Sequence, residues 1–320
     1  DIGSGLEAGM GIVALAIILD RISQAAAQRA AKGKHLEPGQ RPLWQLLVVW
    51  LIISSVIAFI FTPMQTWPDE WEISTASFWN AAVTWINMNL FDILEGARNF
   101  ALLEVMRPFN RFLQSAPWSL VVASVVALAF YLGGFKLAVY CALLMFFILL
   151  TGYWAPAMAS VYLITISVLM AVMIGYPIGF WLSSQPQLKD TANFILDTMQ
   201  TLPTLVYLLP AVMLFRIGDV SAVIAVILYA LAPAVRYAMV GMSQVSPALL
   251  EAAQISGCTR WQTLKWIRFP AALPTLLIGV NQTIMMAFSM LIIAALVGTK
   301  DLGQEVLIAL NRSLVGEGLV

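Results

Sequence analysis

Charge is scarce in this chain. Of its 320 residues, 11% are Asp, Glu, Lys or Arg and 61% are hydrophobic. A water-soluble globular domain carries about 25% charged residues, so this composition suits a surface that faces lipid. Histidine is almost missing: His35 is the single one, and it sits in a basic stretch. The two cysteines are Cys141, in an apolar run, and Cys258, in a polar loop. A His/Cys metal centre has almost nothing to be built from, and cysteines placed so differently are not expected to pair. Seventeen basic residues balance seventeen acidic ones, which removes the electrostatic case for nucleic acid. No Gly-x-x-x-x-Gly-Lys-Ser/Thr run occurs, so no phosphate loop for ATP is expected here. Neither a Ser/His/Asp set nor a carboxylate pair within an apolar run is present, which argues against a membrane enzyme.

What the chain does have is apolar runs approaching the roughly 20 residues that span a bilayer core. Leu6 to Leu19 is the first and closes at Asp20-Arg21. Residues 21–41 carry Arg29, Lys32, Lys34 and Arg41; short basic loops stay in the cytoplasm, which places this linker inside. Leu43 to Phe61 reads as a span, and the acidic, tryptophan-bearing Trp67 to Glu72 after it as an outside loop. Between 78 and 114 apolar residues step by three and four: Trp79, Val83, Ile86, Leu90 and Ile93, then Leu102, Met106, Phe109 and Leu113. That period predicts two amphipathic helices, along the outer interface or capping the bundle.

The core, 118–320, then holds four spans: Trp118 to Leu132, Leu137 to Leu150, Ala157 to Leu182 and Val220 to Val235. Leu202 to Phe215 lies between the last two and carries Pro203 and Pro210. Proline frees backbone carbonyls, so this reads as a short, broken crossing. Ala271 to Val297 is the last complete span. Counting sides from the linker puts Lys189-Asp190 inside, Arg216 to Asp219 outside and Arg236 to Arg268 inside. The last stretch holds Arg236, Arg260, Lys265 and Arg268, so parity and basic charge agree there. One more crossing is expected from about Gly316. Val315 to Leu319 looks like Ile2 to Leu6, which suggests a tandem layout. Residues 1–20 would be the last helix of one module, and 42–320 a second module without its final helix.

The long inside stretch carries the most specific pattern. Glu251-Ala252-Ala253 is followed after three residues by Gly257, after nine more by Ile267, and after one more by Phe269-Pro270. Ser246 or Pro247 opens a helix with Glu251 in an early turn. Ala252 and Ala253 let a partner approach closely, and Gly257 stops the helix where a left-handed residue is needed. A second amphipathic helix, Trp261 to Ile267, leads back to the membrane at Pro270. This spacing resembles the EAA signature of permeases of bacterial ATP-binding-cassette importers, with Phe269 where Leu is usual.

Further stretches resemble the glycine betaine/proline betaine (quaternary-amine) permeases of that class: Asp197 to Pro203, Val206 to Pro210, Gly279 to Thr283 and Leu302 to Gln304. The resemblance implies an all-α polytopic transmembrane bundle of the type I permease fold in the bacterial inner membrane. It implies a partner ATPase dimer that binds ATP and Mg, with no cofactor in this chain. It also implies an extracytoplasmic solute-binding protein and a second permease module or a homodimer. Glu251, Ala252, Ala253, Gly257, Ile267 and Pro270 would form the ATPase-coupling loop. The solute would be a betaine, choline, carnitine or trimethylamine oxide. Asn281, Gln282, Met285 and Ser289 on one span, with Tyr207, are candidates for the translocation path; hydrogen bonding and packing between helices compete with that reading. Gly175 and Gly179 fit close helix packing better than chemistry. An ion-coupled secondary transporter of the same solutes is the rival function, disfavoured by the lack of an acidic residue at the centre of a span.

Overall fold

The computed structural model describes residues 2–31, 43–60, 68 and 71–312. The second half of the predicted linker, half of the loop Trp67 to Glu72 and the crossing expected from Gly316 fall outside them. The described residues form helices and no strand, and the chain divides into two compact units, 1–82 and 83–320.

The first unit holds α1 (Ile2–Ala31), α2 (Leu43–Ile60) and the start of α3 (Ala76–Asn89). α1 does not stop at Asp20-Arg21 as the apolar run suggested. It continues as a polar helix in which Gln24 donates to Asp20 and accepts from Arg21. Glu7 accepts the N–H of Thr75 and the hydroxyl of Ser74, which ties α1 to the entry of α3.

In the second unit the amphipathic stretch is broken once, at Leu90 (φ −112°, ψ 9°). Beyond it, α4 (Phe91–Phe100), a π-helical turn (Ala101–Met106) and α5 (Arg107–Ser115) follow with helical backbone throughout. The second predicted stripe packs on the core: Met106 is buried, and Leu102, Phe109 and Leu113 lie against it. Ile93, predicted to share the first stripe, is exposed, because the break at Leu90 shifts the helical register.

The two spans expected over 118–150 form one element, α6 (Trp118–Thr151), interrupted where Gly134 takes φ 72°, ψ −168°. Glycine adopts that conformation without steric cost. Only 6% of its apolar window is buried inside the protein, a surface tolerable against lipid and not against water.

The core is α7 (Trp154–Ser183), α10 (Asp219–Ser243) and α13 (Phe269–Ala294). α10 is central. A Cβ on Gly175 would sit 2.7 Å from Cβ of Ala234, and one on Gly179 would sit 2.5 Å from Cβ of Ala238, so α7 and α10 run parallel. Gly241 faces Thr275 and Ala272, and Gly279 faces Tyr237, so α13 runs antiparallel to both. Among lipid tails, helices associate by close packing of small residues. The fully buried Ala225, Ala230, Ala234 and Ala238 of α10 provide it. These directions are the ones that counting sides requires.

Between α7 and α10 the chain returns through α8 (Lys189–Thr201) and α9 (Thr204–Phe215), a pair bent by 90°. The bend falls at Leu202-Pro203, whose extended backbone cannot continue a helix; Pro210 lies inside α9 without breaking it. By length and composition, the described residues include four helices able to cross a membrane, or five if the bent pair is one span.

Candidate functional site

After α10 the chain leaves the bundle at Ser246 and forms α11 (Pro247–Ile255), with Ser246 at the N-cap and Pro247 at the first helical position, where its missing N–H costs nothing. At the other end the N–H of Cys258 reaches the carbonyl of Ala253, and that of Gly257 reaches the carbonyl of Gln254, both at 3.0 Å. Gly257 has φ 73°. This is a Schellman cap, and the left-handed position favours glycine. No atom crowds the site of its missing Cβ, so backbone conformation alone selects glycine.

The next helix, α12 (Arg260–Thr263), opens with a capping box between Thr259 and Gln262. The Thr-x-x-Gln spacing in the sequence is its signal. α12 does not end at Pro270. A π-helical turn (Leu264–Arg268), closed by the N–H of Phe269 on the carbonyl of Leu264, carries it into α13. Pro270 brings no N–H, and the wide turn passes the backbone over that gap. The result is one continuous helix from Arg260 to Val297.

Glu251 and Ala252 are exposed, as is Ile255 at 88%. Ala253 differs from the expectation: at 3% exposure it packs inward, so its small side chain does not lie on the outer face. Helical period explains the split, since 253 faces away from 251 and 255. Gly257 and Pro270 are exposed and Ile267 is half-buried. Phe269 meets the ring of Phe180 edge-on at 6.4 Å, beside a buried cluster of Ala238, Met242, Ala272 and Leu276 that joins α7, α10 and α13.

On α13, Asn281, Gln282, Met285 and Ser289 all lie on the exposed side, opposite the buried Thr283, Ala287 and Met290. The Ser289 hydroxyl donates to its own helix, to the carbonyl of Met285 at 3.1 Å. Tyr207 is not part of that face. It is 8% exposed, donates its hydroxyl to the carbonyl of Met199 and meets Tyr229 edge-on. Tyr207 therefore supports the bend between α8 and α9.

Two polar groupings were not legible beforehand. Arg236, placed by sequence in the loop, lies inside α10 and pairs with Asp197 of α8 at 2.6 Å. At the opposite end of the bundle Tyr162 donates to Asp219, and Ser160 accepts the N–H of Leu302 at 3.0 Å. Asp301, fully buried, caps α14 (Leu302–Asn311) and accepts the hydroxyl of Thr299 at 3.0 Å. Burial holds the Asp301 carboxyl above the usual carboxylate range, more than its hydrogen bonds lower it, and the nearby Asp219 charge adds to the rise.

A helical bundle with four or five crossings and apolar surface turned outward defines the class: a multi-pass membrane protein. The family described as "Binding-protein-dependent transport system inner membrane component" matches residues 171–319, which contain the loop and the α13 face. The chain is 36% identical over 324 residues to the trimethylamine N-oxide transport system permease protein TmoV of Pelagibacter ubique, covering 97% of this chain and 45% of that protein. It is 35% identical over 237 residues to the glycine betaine transport system permease protein OpuAB of Bacillus subtilis, covering 74% of this chain and 84% of the relative. It is 32% identical over 254 residues to the glycine betaine/proline betaine transport system permease protein ProW of Escherichia coli, covering 79% and 68%. The chain spans about half the length of the trimethylamine N-oxide permeases it matches. It belongs to the family of binding-protein-dependent transport system inner membrane components, as the resemblance read from its motifs implied.

Proposed function

We propose that this chain is the membrane-spanning part of an ATP-driven importer for a quaternary-ammonium or related zwitterionic solute, such as a betaine, carnitine, choline or trimethylamine N-oxide. A separate ATPase dimer, which binds ATP and Mg, grips α11 at the cytoplasmic face, and an extracytoplasmic binding protein delivers the solute. The observation that carries the reading is α11 itself. Its N-terminus is started by Ser246-Pro247, its C-terminus is closed by a Schellman cap, and Ala253 seats it inward while Glu251, Ala252 and Ile255 face out. A second permease module, in tandem or as a second copy, faces the exposed side of α13 and completes the path beside Asn281, Gln282, Met285 and Ser289.

Uptake of labelled solute into cells separates this reading from an ion-coupled carrier. Import persists when proton and sodium gradients are collapsed and stops when ATP is depleted; the reverse pattern would overturn the proposal.

A further inference from the structure

The loop end of the bundle encloses a cavity of about 660 Å³ between the end of α7, the end of α10 and the segment from α11 through the π-helical turn. Its lining is divided by polarity. Phe180, Trp181, Leu250 and Leu264 form an apolar wall, whereas Ser183, Ser184, Gln254 and Thr263 offer hydroxyl and amide groups. Arg260 and Arg268 both line it, and no Asp or Glu does. Neither guanidinium has an ion-pair or hydrogen-bond partner among the described residues. Two uncompensated guanidinium groups offer the forked N–H donors that a phosphate group accepts.

The apolar wall decides the source of that phosphate. A free anion gains nothing from Phe180, Trp181 or Leu264, whereas an acyl chain does. Trp181 and Trp266 are exposed and Lys265 lies 5.2 Å over the Trp266 ring. Amphipathic aromatics and cations of this kind mark the headgroup level of a bilayer, and basic pockets between helices on the Lys/Arg-rich side recruit anionic headgroups. We propose that this cavity binds the headgroup of an anionic phospholipid. Arg260 and Arg268 hold its phosphate, the Thr263 hydroxyl and the Gln254 amide donate to it, and an acyl chain runs along Trp181. The lipid then bridges α7 and the helix that begins at Arg260, so it braces the loop from the membrane side while α11 keeps its outer face free.

Cys258 lines the same cavity and is half-buried, which supplies a native probe. In a Cys141→Ser background, the full transporter is placed in nanodiscs of phosphatidylcholine with or without phosphatidylglycerol. The rate of Cys258 alkylation by a hydrophilic maleimide is then followed. Phosphatidylglycerol slows the reaction several-fold, Arg260→Gln with Arg268→Gln abolishes the slowing, and inorganic phosphate in phosphatidylcholine discs leaves the rate unchanged. Arg260→Lys with Arg268→Lys, which keeps the charge, retains part of the protection. Native mass spectrometry of the unmutated transporter, comparing retained phosphatidylglycerol with phosphatidylcholine, gives a second readout that needs no variant. Equal alkylation rates in the two lipids would overturn the proposal, as would protection by inorganic phosphate equal to that by lipid.

Discussion

At the end of the bundle where α7 and α10 begin, polar side chains turn inward and pair within the protein. Tyr162 reaches Asp219, Ser160 takes the N–H of Leu302, and Thr299 reaches a fully buried Asp301. Where the same helices end, the polar groups turn outward: α11 exposes Glu251, and Arg260 and Arg268 have no protein partner among the described residues. Buried, interlocked polar groups fix geometry, because removing one strands the others. Exposed, locally capped helices fix only their own shape and leave a face for something else. The first end holds α7, α10, α13 and α14 together, and the second leaves a face open.

The contrast can be attacked first through the packing both ends share. Gly179→Leu forces a side chain into a space where even a Cβ would lie 2.5 Å from the carbonyl oxygen of Val235. Overpacking of this kind costs ~1–3 kcal/mol, and more where backbone must move, so the monodisperse peak on size exclusion is lost. Gly257→Asp comes next. It leaves that peak intact, because the position is open, yet it abolishes uptake by disturbing the cap and the outer face of α11. Normal uptake by a well-expressed variant would break the division between the two ends.

Asp301 tests the interlocked end. Its folded pKa is raised by burial, so the folded state holds the proton more tightly than the unfolded chain. That contribution is fully present below the ordinary carboxylate pKa and is lost as pH rises from there through the raised value. Melting temperature therefore falls across this window in the unmutated protein and is flatter in Asp301→Asn, which keeps an acceptor for Thr299 and Gln304. Asp301→Ala loses the cap as well, at about 1 kcal/mol. The smallest effect is expected from Tyr207→Phe. It removes one hydrogen bond worth about 1 kcal/mol, lowers the melting temperature slightly and leaves KM for solute unchanged. A raised KM would return Tyr207 to the translocation path.

Local chemistry was readable from sequence, and partnership was not. Gly257 could be read because a helix stop needs one residue of one conformational type. The parallel course of α7 and α10 followed from counting crossings. Gly175 and Gly179 announced close packing because few other reasons place two glycines four apart in an apolar helix. The motif puts Ala253 on the partner-facing side and it packs inward instead, since either face of a short helix tolerates alanine. Pro270 looked like a boundary, and only the π-helical turn shows that the backbone goes around it. Asp197 and Arg236 lie 39 positions apart, Tyr162 and Asp219 lie 57 apart, and Ser160 and Leu302 lie 142 apart; such pairings belong to the packed state alone.

The helix that starts at Arg260 and runs to Val297 has 38 residues, about 57 Å at 1.5 Å per residue. The π-helical turn, Pro270 and Pro274 all lie near its start, and beyond them the helix runs unbroken to Ala294. That longer part is a stiff member, which passes on a displacement instead of absorbing it. A tilt of that part moves its far tip, next to Asp301 and Ser160, so a displacement beside α11 is carried to the interlocked end of the bundle.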